Sequence, residues 1–382
     1  MKLDDLLVDI FYFFQHSSKR LKDYKEIQDF TEVEEEKILK HCFTHWLSLE
    51  KIGNRTLSQL PALKSYFASH EDVEKPGKVK SIHERLHDPM TELVLRFMKY
   101  ILPIINNFNT VFQANEAKIG CLLPEMDRLL RKFLIKFVQM RHVKAADELR
   151  NLNFHNKDLQ HGDDMIAIGL DTREVLQDLD VDPGTEKKFF QGVRGFYEAV
   201  VDKMLGKFPF DDPTLLHLSV LDPSKTETLT YSSIVHLAAT FCPTLEAEDI
   251  KEEWEDLKLL PANAVSRIDP ETEKAKRIDM YWGEVMALKI ALGVPRFPQP
   301  LKVFTALLCL PHSNADSERA FSMVRKIHTD FRQSMLPETL SSFMQVKMNC
   351  DNHCFQVKPS KEMTDSAKAA SWEYNKQHSS KK

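Results

Sequence analysis

The stretch LPHSNADSERAFSMVRKIHTDFRQSMLPETLSSFMQVKMN, from Leu310 to Asn349, predicts two short amphipathic helices. Ser313 or Asn314 can cap the first of them. Asp316 and Glu318 then fall in its first turn, where the positive end of the helix dipole favours carboxylates. A proline suits the first position of the second helix. We expect two helices whose apolar faces pack together or against a partner, carrying Phe321, Val324 and Ile327 on the first and Leu340, Phe343 and Met344 on the second.

The composition around this stretch is that of an ordinary globular chain rich in helix. The 382 residues are enough for roughly two to three packing units. Hydrophobic residues make up 42% and charged residues 29%, so the chain can bury a sizeable core. Only 11 Gly and 18 Pro are present, which favours helix over loop-rich or all-β structure. The formal net charge of -5 lacks the overall basic character of a protein that binds nucleic acid with its whole surface.

The location suggested by the sequence is intracellular. No apolar run approaches the ~20 residues that cross a bilayer. Asp4 and Asp5 precede the first apolar run, which is the wrong charge for a signal peptide. The six Cys are then expected to be reduced thiols.

Helical periodicity recurs along most of the chain. Residues 3–14 predict an amphipathic helix at the start, and residues 46–67 predict a long helix that Pro61 kinks. Pro103 is expected to interrupt the helical pattern that follows. No segment alternates well enough to predict a strand, so a mainly α fold is expected. The Lys- and Ser-rich residues 358–382 predict a frayed tail.

A resemblance to a known family rests on several ordered blocks. SNADSERAFS at 313–322, RKIHTDFR at 325–332 and LPETLSSFMQVKMN at 336–349 closely resemble the C-terminal block of hAT-family DNA transposases. The resemblance extends to their domesticated vertebrate relatives that carry BED-type zinc fingers or SCAN domains. Two upstream blocks, FYFFQHSSKR at 11–20 and HCFTHWLS at 41–48, are similar to further segments of the same family.

The resemblance implies a domain organisation as well. Residues 1–45 correspond to a remnant of an RNase H-like domain, and residues 46–280 correspond to the large helical insertion that interrupts it. Residues 290–357 correspond to the hAT C-terminal dimerisation region. Residues 358–382 are expected to form a disordered tail because of their composition. The expected fold is therefore a mainly α remnant of an RNase H-like domain with a large helical insertion.

The resemblance also bears on catalysis. The hAT active site holds two Mg²⁺ ions on three carboxylates, because an in-line displacement needs both its attacking and leaving oxygens clamped. Glu318 matches the last of these carboxylates. The family places the other two before the block at 11–20, and Asp4, Asp5 and Asp9 do not match them. We therefore predict that the chain is not an enzyme and uses no cofactor, the alternative being part of an active transposase that transfers DNA strands. Glu318 is then a helix-start carboxylate, paired with Arg319 or another basic residue.

Other candidate sites are weaker. A basic face on one predicted helix could bind phosphate, although a solvated face is the commoner role of such a charged stripe. His41, Cys42 and His45 include two His at a spacing that can share a metal ion, but no third ligand is close. Cys350, His353 and Cys354 resemble half of a zinc knuckle and lack its second half. We expect no metal site. The basic face consists of Arg128, Arg131, Lys132, Lys136 and Arg141.

The predicted function is protein dimerisation or partner binding by a transposon-derived protein in the nucleus. Its partners would be a second copy of the chain or related hAT-derived proteins. Binding to DNA is the alternative, with no role for a membrane. The residues predicted to mediate dimerisation are Leu310, Phe321, Val324, Ile327, Leu340, Phe343 and Met344.

Overall fold

A computed structural model of the chain describes residues 3–40, 46–70, 76–114, 116–178, 181–261, 263–350 and 356–379. Within these ranges the regular elements are helices, and the only β-type pairings are isolated bridges. The predicted mainly α fold is confirmed. The chain divides into a first unit, Met1–His312, and a second unit, Ser313–Lys382. No helix of the described residues is long and apolar enough to cross a membrane.

The first unit begins with five helices around an aromatic core. The first helix buries Phe13 and Phe14 as its spacing predicts, and these rings contact Tyr66 and Phe67 of the fourth helix. The helices are α1 (Leu3–Gln15), α2 (Ser18–Phe30), α3 (Trp46–Ser58), α4 (Leu60–Ser69) and α5 (Pro76–His87).

The next five helices form the largest core of the first unit. Phe97, Phe133 and Tyr197 from three different helices meet in its centre, and all three are buried. Asp182 caps the last of the five, its carboxylate accepting hydrogen bonds from the backbone of Gly184 and Thr185. The helices are α6 (Pro89–Phe112), α7 (Leu122–Phe137), α8 (Met140–Ala145), α9 (Leu170–Asp178) and α10 (Pro183–Lys207).

A further core closes the first unit. It is built around two buried indoles, Trp254 and Trp282, and around Phe304. Arg296 donates two hydrogen bonds to the carboxylate of Asp256, at 2.9 and 2.7 Å, and so ties the helix that carries Asp256 to the segment before Pro298. The helices are α11 (Pro213–His217), α12 (Tyr231–Phe241), α13 (Ala247–Lys258), α14 (Ile278–Met286) and α15 (Pro298–Leu308).

The second unit contains α16 (Ala315–Ile327), α17 (Pro337–Asn349) and α18 (Lys361–Ser379). The first two pack against each other as the opening stretch predicts. The prediction of a disordered tail over 358–382 differs from the structure, in which α18 occupies most of that range. Its side chains described up to Lys376 are almost all exposed, so its polar and alanine-rich sequence forms a helix without an apolar core.

Two sequence predictions on the first unit need correction. Residues 46–67 form two helices rather than one kinked helix, because α3 ends at Ser58 and α4 starts at Leu60. Pro103 lies inside a continuous α6 instead of ending a helix. The division after His312 falls inside the predicted region 290–357, while the domain boundaries predicted at 45 and 280 stay predictions.

Candidate association surface

The start of α16 is stabilised locally by short-range contacts. The hydroxyl of Ser313 accepts a hydrogen bond from the backbone N–H of Ala315 at 3.3 Å. Asp316 and Glu318 occupy the first turn, as predicted, where they face the positive end of the helix dipole. Arg319 forms its ion pair with Asp316 one turn earlier. The helix is therefore held by local contacts that leave its apolar side chains available for packing.

The predicted dimerisation residues divide into two groups. Ile327 is buried, and Val324, Leu340 and Met344 are half-buried. Leu310 lies outside the second unit and packs against the core around Phe304. The exposed members of the set are Phe321, with 66% of its surface exposed, and Phe343, with 47%. Of the predicted residues that the structure describes, these two offer the most surface for contact with another molecule.

The structure adds exposed apolar residues that the sequence analysis missed. Leu336 and Val346 are each 64% exposed. Val346 shares one side of α17 with Phe343, three positions earlier, and Leu336 directly precedes the first residue of the helix. We call Leu336, Phe343 and Val346 the outer stripe. Helical periodicity identifies these positions as apolar. It does not show which apolar side of α17 packs on α16 and which stays exposed.

Two neighbouring apolar side chains extend this exposed surface. Phe331, between α16 and α17, is fully exposed, and Met348 is more than half exposed near the end of α17. Isolated exposed apolar residues are common on monomeric proteins and need no explanation. A contiguous exposed apolar patch, by contrast, is typical of an interaction site.

A comparison with known families decides what this segment resembles. Residues 293–350 match the hAT family C-terminal dimerisation region. The similarity is to the dimerisation region of the hAT family and covers these residues alone. No solved structure matches the chain.

The matched residues contain two kinds of helix. Its first helix, α15, belongs to the core of the first unit, where Val303, Phe304 and Leu307 are buried. Its other helices, α16 and α17, carry the exposed apolar side chains. The candidate association surface therefore occupies only the later part of the matched region.

Glu318, which matches the last family carboxylate, lies on the exposed side of α16. Two hard cations require several convergent oxygen ligands. Within the described ranges, no three His, Cys, Asp or Glu side chains are grouped so that they could hold a metal ion. Arg319, the suggested partner of Glu318, forms an ion pair with Asp316.

The basic face is divided between α7 and α8, and its cations differ in their surroundings. Arg128 pairs with Glu125, and Arg131 pairs with Asp127 at 2.7 Å. Lys136 donates a hydrogen bond to the Tyr100 hydroxyl at 2.6 Å. Lys132 and Arg141 are exposed. Intrahelical pairing neutralises part of the face, so binding to nucleic acid stays a prediction that rests mainly on these two cations.

The weaker metal candidates cannot be placed. His41, Cys42 and His45 lie outside the described residues, and so do His353 and Cys354. Cys350 follows the last residue of α17.

Proposed function

We propose that this protein associates with a second copy of itself through the outer stripe of α17 and through Phe321 of α16. The observation that carries the proposal is an exposed apolar helix face inside residues that match a dimerisation region. Removing such side chains from water is favourable, by about 1.5–3 kcal/mol for each Leu, Val or Phe that becomes fully buried.

A symmetric dimer is the simplest arrangement for this surface. In a two-fold dimer the same patch of both copies meets, so an apolar stripe on one copy faces the same stripe on the other. Leu336, Phe343 and Val346 would form the apolar centre of that contact. Related chains with a similar region are the alternative partners.

We propose further that the protein acts through this association and does not cut DNA itself. Glu318 is exposed, and within the described ranges it has no cluster of carboxylates around it. A two-metal site for strand transfer needs such a cluster. Residues 1–45 as a remnant of an RNase H-like domain, residues 46–280 as the helical insertion, and a nuclear location are proposed on the resemblance alone.

The association is tested on the full chain by sedimentation over a range of concentrations. We expect a reversible dimer for the natural sequence. The double variant Phe343→Glu/Val346→Glu places charges at the contact and should weaken the dimer by at least about a hundredfold, roughly tenfold for each 1.4 kcal/mol lost. The matched control is Leu259→Glu, at a highly exposed apolar position at the end of α13 in the first unit. It should dimerise normally.

Two results would overturn this proposal. A natural chain that stays monomeric at the highest attainable concentration would exclude self-association. Equal dimerisation of the natural chain and of the double variant would place the contact elsewhere. Phe321→Glu tests the contribution of α16 separately.

The proposal that the chain does not cut DNA is tested in a separate cleavage assay. The chain is incubated with duplex DNA and Mg²⁺ or Mn²⁺, beside the variant Glu318→Gln. We expect the same background for both proteins. Metal-dependent cleavage that the substitution abolishes would restore Glu318 as a catalytic carboxylate.

A further inference from the structure

The end of α5 carries two histidines one helical turn apart. The residues are His83-Glu84-Arg85-Leu86-His87, which match the pattern H-E-x-x-H. In that pattern the two imidazoles lie on one face of a helix, where they can share a metal ion. Here the two rings are in contact, with centroids 4.1 Å apart and an angle of 56° between their planes. The helix therefore places the two imidazoles next to each other on one face.

The ring of His87 is already oriented by the backbone. Its Nδ1 lies 2.9 Å from the carbonyl oxygen of His83. A carbonyl only accepts hydrogen bonds, so Nδ1 carries the proton in this contact and Nε2 of the neutral ring keeps its lone pair. Metal-binding histidines commonly donate their other ring N–H to a carbonyl in this way. His87 is exposed and His83 is half-buried, so an ion can reach the pair from solvent.

The electrostatic surroundings favour a cation. His87 is the last residue of α5, where the negative end of the helix dipole lies. Glu84 and Asp88 are sequence neighbours of the pair, and Lys80 lies about one turn before His83. Lys78, also on α5, forms an ion pair with Asp9. Arg85, which stands between the two histidines in sequence, is directed to Asp9 of α1 at 3.0 Å. Its charge is therefore compensated by the carboxylate of Asp9.

We propose that His83 and His87 bind a divalent transition-metal ion, with Zn²⁺ as the reference ion. Two imidazoles on one tetrahedral zinc, at Zn–N distances of ~2.0–2.1 Å, hold their ring centroids about 5 Å apart. The present centroid distance of 4.1 Å is shorter, so binding requires the two side chains to rotate apart. No third His, Cys, Asp or Glu of the described residues completes the site. Water fills the remaining positions, and binding is weaker than at a closed four-ligand site.

The test is a titration of the metal-free full chain with Zn²⁺ in competition with a chromogenic chelator. We expect one zinc ion per chain to bind at this pair. His83→Gln and His87→Gln should each weaken that binding by about tenfold or more, at least as much as the loss of an outer-shell partner. Titration with Co²⁺ adds a visible absorption spectrum that reports nitrogen ligands directly, and the same variants should abolish it.

The matched control is His70→Gln. His70 follows α4, and its Nδ1 lies 2.9 Å from the carbonyl oxygen of Tyr66 one turn earlier, but its ring stacks on Tyr66 and not on a second imidazole. This variant should bind zinc like the natural chain. Because His87 is exposed, His87→Gln should also keep the melting temperature of the metal-free protein, which separates loss of a ligand from loss of the fold.

Unchanged zinc affinity in the variant His83→Gln/His87→Gln would overturn the proposal. Loss of binding in His41→Ala/His45→Ala, with the α5 pair intact, would equally overturn it and would assign the ion to the other histidine pair. Neither outcome bears on dimerisation through α17, because the two experiments change different helices and measure different properties.

Discussion

The indole ring of Trp282 stacks on the phenyl ring of Phe304, with ring centroids 4.1 Å apart and an angle of 16° between their planes. The indole N–H also donates a hydrogen bond to the backbone carbonyl of Leu221 at 2.9 Å. Both rings are fully buried. Phe304 belongs to α15, so the first helix of the hAT dimerisation region is part of the core of the first unit.

The stacked pair predicts a large loss of stability when Phe304 is truncated. Phe304→Ala removes the ring from a packed core and leaves a cavity, which costs about 3–5 kcal/mol of unfolding free energy. Denaturation in urea, followed by circular dichroism, measures this difference. The control is Phe331→Ala, because Phe331 is fully exposed and its removal should change stability by less than about 0.5 kcal/mol. A similar shift for both variants would contradict the assignment of α15 to the core.

A second prediction separates the inner and outer sides of the second unit. Ile327→Ala removes a buried side chain and should lower local stability by about 2 kcal/mol or more. Phe321→Ala removes an exposed one from the same helix. Hydrogen exchange of α16 and α17, measured on dilute monomer, should accelerate for the first variant and stay unchanged for the second. Equal acceleration of hydrogen exchange in both variants would mean that Ile327 and Phe321 contribute equally to the packing of α16.

The ion pair between Asp256 and Arg296 predicts a dependence of stability on pH. Hydrogen bonds from Arg296 hold the pKa of the Asp256 carboxyl below its usual value. A lowered folded-state pKa gives stability that is fully present above the unfolded pKa of about 3.9 and is lost as the pH falls through the folded value. The carboxylate is partly exposed, so its contribution is about 1 kcal/mol at most.

Asp256→Asn should therefore reduce the unfolding free energy at pH 7 by up to about 1 kcal/mol. The difference from the natural chain should shrink as the pH falls below 3.9. Glu255→Gln, at an exposed position on the same helix, is the control and should have little effect at either pH. A difference that grows on acidification would have the wrong sign for this ion pair.

The basic face predicts how any binding to DNA should respond to salt. Lys132 is exposed, whereas the charge of Arg128 is already paired with Glu125. If Lys132 contacts a phosphate, Lys132→Gln should weaken binding and reduce the slope of log K against log salt by about 0.9. Arg128→Gln should have the smaller effect. Fluorescence anisotropy with a labelled duplex measures both, and affinity that does not depend on salt would argue against this surface.

The break between α3 and α4 shows what a proline pattern leaves open. Pro61 cannot donate a backbone hydrogen bond, so the sequence predicts a disturbance but not its form. In the structure the helices separate at Gln59, whose side chain is buried. Its amide oxygen accepts hydrogen bonds from Tyr24 and Gln28, and its amide nitrogen donates to the carbonyl of Glu34. These distant partners stabilise a break where the sequence predicts a kink.

Pro103 shows the opposite outcome. Helix α6 continues through it although an interior proline costs about 3 kcal/mol. Phe97, Ile101 and Leu102 on its buried side share one core with α7 and α10. Burial on this side offsets the lost backbone hydrogen bond. The sequence alone does not reveal whether the stabilisation from burial exceeds the cost of the proline.

The sequence by itself determined that the fold is mainly helical, that Leu310–Asn349 holds two amphipathic helices, and that this segment resembles the hAT dimerisation region. These are local properties, set by the spacing of apolar side chains and by residues at helix starts. Only the tertiary structure decided that Leu310 packs against a core and Ile327 is buried, while Phe321 and Phe343 stay exposed. Each predicted helix offers several apolar positions, and exposure depends on which of them meets a neighbouring element that is distant in sequence.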